Sequence, residues 1–374
     1  MKDKEIYLDS AATTPAYKAV VEEMNRFYLN EYGNPSSAHE IGERAQKAMN
    51  EARAKLASEI NAKAHEIIFT SGTTESNNLA FLGLIKAKKE RKKIVISSIE
   101  HSSIFEICQA LKELKIVEIP VNKEGLIDIE RAKKEIDNNT LLVSIMHVNN
   151  EIGTIQNIEK VGSICRAKGA YFHTDCAQSF GKLNIDVKKM NIDLLSAGAH
   201  KIGGPKGIGL LYVREGINIV PLIYGGGQEK GLRGGTENIP GIAGFAKALE
   251  IAKKIDKEKI RKLSNYFASE LEKIGGKINS SKENRIYNII NVNFPVDGEN
   301  LAAFLSHKKI YVSAGSACDT KKKKESKVLR ELGLNEKERK GSIRISLSEN
   351  ISKADIDYVI KEIANAIKNN KIVR

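Results

Sequence analysis

Short, unbroken apolar runs recur along the first two-thirds of the chain: Ile67–Thr70, Ile94–Ser97, Leu141–Met146, Tyr171–Thr174, Leu194–Ala197 and Gly209–Val213. Each is too short for a helix, and none alternates with the period of two that marks a strand with one wet face. They therefore predict strands buried on both sides, joined by a further strand at Lys115–Pro120. Between them the pattern predicts helices over about 16–28, 41–60, from the turn at 71–76 to about 89, and over 103–114, 129–136 and 158–168. Alternating strands and helices predict an α/β fold with a mostly parallel sheet covered by helices. Near residue 255 the texture changes. A long charged helix over about 243–271 gives way to alternating β character at Ile286–Phe294. A helix at 299–307, a strand at 311–313, a helix near 326–332, a strand at 342–347 and an amphipathic helix at 353–368 follow. This predicts a smaller α+β domain. The expected division is a large domain over 15–254 and a small one built from 1–14, including a short strand at 5–8, and 255–374.

The 374 residues are 41% hydrophobic, which suits two such domains, and no apolar run approaches the roughly 20 residues of a membrane span. The N-terminus lacks the apolar core of a signal peptide. Cys108, Cys165, Cys176 and Cys318 are far apart and form no CxxC pair, so neither a disulfide framework nor a metal site is expected. These features predict a cytoplasmic protein. The net charge of +13 raises the question of nucleic acid. The lysines, however, are spread over helical segments among glutamates, as in residues 86–93, and no basic stripe is interleaved with aromatics. A solvated lysine-rich surface is expected, with no direct nucleic-acid binding and no membrane contact.

Candidate chemistry gathers at strand ends. Lys201 follows a buried strand and precedes Gly203-Gly204-Pro205. Poor solvation there favours a neutral amine that can condense with an aldehyde, although one lysine alone reads equally as an exposed turn residue. Ser71–Glu75 is either a phosphate cradle of hydroxyls and helix N-terminal amides or a simple helix start. Asp175 is either a partner for a protonated ring nitrogen or an N-cap. Asn150 and His101 also lie just past strand ends, where α/β folds keep ligands. Arg344 interrupts an apolar strand, as an edge residue or as a carboxylate clamp. Cys318, among small residues and followed by Lys321–Lys324, is either a reactive thiol or an inert turn residue.

Together these motifs resemble the cysteine desulfurases, pyridoxal 5'-phosphate (PLP) enzymes of fold type I in the class V aminotransferase superfamily. The segments that carry the resemblance are Tyr7–Pro15, Gly33–His39, Phe69–Ser76, His147–Gly153, Asp175–Gln178, His200-Lys201, Gly204–Gly207, Gly225–Glu229, Arg233–Thr236 and Ser313–Cys318. The last points to the iron–sulfur assembly type, with a long cysteine loop over about 313–327. The resemblance implies conversion of L-cysteine to L-alanine, with the sulfur left as a persulfide on the enzyme. It implies that Lys201 bonds the cofactor and moves the proton, and that Thr73, Thr74 and His200 attend the phosphate. Thr236 would reach in from the second subunit of a homodimer. Asp175 would meet the ring nitrogen, Gln178 the ring hydroxyl and Asn150 the ring and substrate, while His101 stacks on the ring and assists proton transfer. Arg344, with Asn34, would bind the substrate carboxylate, and Cys318 would attack its sulfur. An iron–sulfur scaffold protein or a tRNA-thiolation acceptor would take the sulfur. Selenocysteine lyase, or another class V PLP activity, is the alternative. The chain departs from the family pattern at Gly198, where a phosphate-binding serine is usual, at Asp319 and in the four lysines that follow. It also stops at Arg374, without the extension that helps housekeeping members dock a scaffold.

Overall fold

The computed structural model describes residues 4–314 and 325–368. The architecture is α/β. A seven-stranded sheet runs in the order Ile67–Thr70, Gly209–Val213, Leu194–Gly198, Tyr171–Asp175, Thr140–Ser144, Lys93–Ser97 and Lys115–Ile119. The interior strands are buried along their length except at Tyr171, as continuous apolar runs demand, and the edge strand Lys115–Ile119 is mostly wet. One face packs on the helices Lys18–Leu29, Glu40–Ser58, Ile158–Lys168 and Ile239–Ala252, the other on Thr73–Ala87 and Ser102–Ala110.

Gly209–Val213 departs from the parallel series by lying antiparallel to both neighbours. Its connection, residues 199–208, is shorter than the dozen or so residues that a parallel crossover needs. Every other strand points the same way, so six carboxyl ends and the start of Gly209–Val213 meet at one edge.

A four-stranded antiparallel sheet follows, in the order Ser313–Ala314, Ser342–Ser346, Ile289–Asn293 and Lys277–Ile278. The helices Lys257–Lys273, Gly298–His307 and Lys353–Lys368 cover it, with a core that includes Phe267, Leu301, Ile343 and Ile356. The long charged helix expected over 243–271, with room for a break, is two helices, because Asp256 caps a new one by accepting from the Lys259 N–H. The strand expected at 311–313 divides between Ile310–Tyr311 and Ser313–Ala314, which belong to different sheets. A short helix, Glu336–Lys340, was not anticipated although its start carries a capping box between Asn335 and Glu338.

The N-terminal thread joins the two sheets. Ile6–Tyr7 pairs parallel with Ile310–Tyr311, and the Ser346 N–H donates to the Leu8 carbonyl at 2.7 Å. A few residues later the Thr14 N–H donates to the His200 carbonyl at 2.9 Å.

Candidate active site

The shared sheet edge opens into a cavity of about 480 Å³. Five of the six carboxyl ends supply part of the wall. Ser71–Glu75 follow the first strand, His101 and Ser103 another, and Met146, Val148 and Asn150 a third. Asp175, Ala177 and Gln178 come from the fourth, His200 and Lys201 from the fifth. Arg344 reaches the same cavity from the smaller sheet.

Lys201 sits in a single 3₁₀ turn after Gly198, and its Nζ donates to the Ala11 and Ala12 carbonyls, both at 2.6 Å. Those carbonyls belong to the N-terminal thread, so the reactive-lysine candidate is aimed by a segment remote in sequence. Gln178 Nε2 donates to the Ala11 carbonyl as well, at 2.8 Å, which leaves its buried Oε1 without a partner. Asp175 is held at both oxygens: Oδ2 accepts from Asn77 Nδ2 at 2.9 Å and Oδ1 from the Ala177 N–H at 2.9 Å. Asn77 lies one helical turn beyond Thr73, and no sequence pattern marked it.

The first turn of helix Thr73–Ala87 faces the cavity. Gly72 makes the approach with φ of +151°, a conformation side chains disfavour. Thr73 Oγ1 is buried without a partner. A Cβ at Gly198 would lie 2.8 Å from that oxygen, so glycine here keeps the Thr73 hydroxyl unobstructed. Ser196 cannot stand in for the absent serine, because its hydroxyl joins the buried pair Ser144 and His173, at 3.0 Å from His173 Nε2. Lys206 adds a cation to the cavity wall, a contribution the sequence analysis did not assign. His200 is pushed down to about 4 by burial, and then by Lys201, Lys206 and Lys182, so it stands neutral beside Thr13 Oγ1 at 3.1 Å.

Arg344 is only 2% exposed. Its Nη2 meets Asp9 Oδ1 at 2.7 Å, its Nη1 meets the Asn150 carbonyl at 2.9 Å, and its Nε is buried with no hydrogen-bond partner. Asp9 was not singled out in the sequence, although it lies in the first motif. His101 caps helix Ser102–Ala110 through Nδ1. Beneath it, burial pushes Glu100 up to about 8, where it accepts from Ser97 Oγ at 2.5 Å and the Met146 N–H at 2.8 Å.

Asn34 and Thr236 do not line this cavity. Both are exposed, and Asn34 Oδ1 accepts from the Ser36 N–H at 2.9 Å. Cys318, Asp319 and Lys321–Lys324 lie outside the described residues. The described residues on either side do adjoin the cavity wall: Ser313 pairs with Arg344, and Ser326 Oγ donates to Glu151 Oε2 at 2.5 Å. Cys108, Cys165 and Cys176 are buried, and burial raises all three thiols, Cys108 and Cys176 to about 12.

The residues present fit a phosphorylated pyridine aldehyde. The cavity offers an amine, a carboxylate oriented by two donors, and a helix N-terminus with a buried, unmatched hydroxyl. Gln178 Oε1 supplies a further unmatched acceptor. An unsatisfied buried hydroxyl costs about 1–3 kcal/mol, whereas an apolar isostere does not. Thr73→Val is therefore expected to raise the melting temperature of the cofactor-free protein slightly while weakening retention of PLP about tenfold, for loss of about one hydrogen bond to a charged group. Calorimetry and equilibrium dialysis check the two signs. Loss of stability with unchanged retention would remove Thr73 from the phosphate site.

Residues 6–359 match the family described as Aminotransferase class-V. A cysteine desulfurase, IscS, of Dictyoglomus turgidum is 42% identical over 379 aligned residues, covering 99% of this chain and 96% of the relative. A mitosomal cysteine desulfurase of Encephalitozoon cuniculi is 44% identical, with 98% of this chain and 87% of the relative covered. Among solved structures, a NifS-like protein superposes with a TM-score of 0.93 at 38% identity, over 98% of this chain and 100% of that one. SspA in complex with cysteine gives 0.83 at 39% identity, over 92% and 99%.

Proposed function

Because this chain belongs to the class V aminotransferase family and is a PLP-dependent cysteine desulfurase, we propose the following roles for its residues. The observation that carries them is the meeting of Lys201, Asp175, Thr73, Gln178 and Arg344 around one cavity. Lys201 bonds the cofactor aldehyde through its amine. Thr73, Thr74, His200 and the helix N-terminus at 72–74 take the phosphate, with Lys206 adding charge. Asp175 pairs with the ring nitrogen, Gln178 Oε1 accepts from the ring hydroxyl, and Asn150 and His101 flank the ring. When bound, PLP withdraws electrons from the substrate's α-carbon.

Arg344 binds the carboxylate of L-cysteine through its fork, Asp9 and the Asn150 carbonyl holding the guanidinium in place. The Lys201 Nζ would take the α-proton, and His101 would assist proton transfer on the leaving side. Cys318 Sγ then attacks the substrate sulfur. A sulfur–sulfur bond forms as the carbon–sulfur bond breaks, two protons end on the carbon skeleton, and L-alanine leaves while Cys318 retains the persulfide. The buried state of Cys108, Cys165 and Cys176 supports giving this step to Cys318.

The protein acts as a homodimer in the cytoplasm, Thr236 and Asn34 each serving the second subunit's cavity; their exposure, away from their own cavity, supports this. The domain division is 15–254 against 1–14 with 255–374, since the core around Phe267 and Ile343 draws in Ile6, Leu8 and Ala11. The sulfur goes to an iron–sulfur scaffold or a tRNA-thiolation protein. The relatives described above are cysteine desulfurases and do not favour selenocysteine lyase. Incubation with sulfur-labelled L-cysteine, followed by peptide mass spectrometry, should find one added sulfur on the Cys318 peptide, and label should pass to a scaffold or thiolation acceptor supplied in trans. Label on another cysteine would overturn the assignment of the nucleophile.

A further inference from the structure

Lys201 lines a second, smaller cavity of about 40 Å³. Thr14, Tyr17, Lys182, Asn288 and Glu349 form much of its wall. Lys182 enters from the turn after Gln178, where Gly181 adopts φ of +69°. It is 8% exposed, and its Nζ has no hydrogen-bond partner. A buried lysine without a partner is costly and rarely kept for packing alone. This one faces the side chain on which the chemistry depends.

We propose that Lys182 is a positioning residue for Lys201: its buried amine lines the same small cavity and electrostatically disfavours the protonated form of the lysine that takes the cofactor. Two like charges in a poorly solvated space titrate as a coupled pair, the first protonation opposing the second. An unprotonated amine then stands ready to accept a proton from substrate, which a solvated lysine would not supply at neutral pH. Burial first, and then Lys201, bring the Lys182 amine down to about 7, while Glu349 opposes the shift.

Several titratable groups face the pair. Glu349 carries the opposing negative charge and accepts from the Tyr17 hydroxyl. Tyr17 and Tyr287 are raised by burial, and then by Glu349, so both remain neutral phenols. His200 is neutral as well, and the charge of Lys182 contributes to that. On its other side Lys201 shares the larger cavity with His101, Asp175, Lys206 and Arg344, which stay in place in every variant compared below, so a difference between variants reads Lys182 and Glu349.

The inference relies on Lys201 being the amine that takes the cofactor, and its test needs neither cofactor nor turnover. The full chain, stripped of PLP, is labelled with acetic anhydride over about pH 6 to 11, a span that covers both amines. Acetylation of the Lys201 peptide is followed by mass spectrometry. Lys182→Met should raise the Lys201 midpoint by about one pH unit, a roughly tenfold fall in reactive amine at a given pH, as expected for losing a nearby like charge. Glu349→Gln, which keeps an acceptor for Tyr17, should move the midpoint the other way. A purely structural role for Lys182 would not give opposite shifts. An unmoved midpoint in folded Lys182→Met overturns the pairing. Should that variant fail to fold, a midpoint that does not fall in Glu349→Gln overturns it instead. Neither result touches the assignment of Lys201, which fails separately if Lys201→Ala still binds PLP covalently.

Discussion

Lys201→Ala is expected to give a folded protein that holds PLP only reversibly, loses its colour on gel filtration, and turns over L-cysteine at least about ten-thousandfold more slowly, the upper range for loss of a positioned proton-transfer group. Lys201 is the amine held at the edge where strand ends meet, with Nζ donating to Ala11 and Ala12 at 2.6 Å. Its removal deprives the Ala12 carbonyl of its Lys201 donor, while Ala11 keeps Gln178 Nε2, a cost of about 1–3 kcal/mol if water does not replace the lost donor. Circular dichroism should therefore show the native fold with a modestly lower melting temperature. Colour that survives gel filtration in this variant would mean that another amine takes the cofactor. Lys182 and Lys206, both at cavities that Lys201 also lines, would be the first to examine.

Cys318→Ser is the complementary test, and its signature should differ in kind. Colour and PLP retention are expected to stay normal, whereas formation of sulfide and alanine falls to about 1% or less, because a hydroxyl is a far weaker nucleophile than a thiolate. No other thiol among the described residues can compensate. Cys108 and Cys176 are raised to about 12 and Cys165 is raised as well, in each case chiefly by burial, so none offers an accessible thiolate. Undiminished alanine formation in Cys318→Ser would exclude a persulfide on this residue. Loss of both colour and activity would instead indicate damage to the fold. The two substitutions thus separate holding the cofactor from taking the sulfur.

The larger sheet was legible because burial on both faces leaves continuous apolar runs, and the strand ends marked where Ser71–Glu75, His101, Asn150, Asp175 and Lys201 would gather. Strand direction was less legible. Gly209–Val213 is as continuously apolar as the strands that run the other way, and only the short connection at 199–208 betrays its reversal. The partners that aim the site were harder still. Asn77 is one polar residue in a helix, Asp9 one acid in a loop, and Lys182 one of many lysines; burial, which singles them out, arises from tertiary packing. Asn34 and Thr236 were assigned by resemblance, and one chain alone does not bring either to its own cavity.

The N-terminal thread has a consequence for how the protein comes to be made. Residues 6–14 hydrogen-bond to the strands at Ile310–Tyr311 and Ser342–Ser346 and also aim Lys201 through Ala11 and Ala12. On the ribosome, Ala11, Ala12 and Thr14 can meet Gln178, His200 and Lys201 early, but residues 6–8 have no strand partner until the chain has grown through residues 310–346. The seven-stranded sheet can form long before that, since its last strand ends at Val213. The site becomes complete only when the smaller sheet closes on residues 6–10 and brings Arg344 to the cavity, a pairing at high contact order.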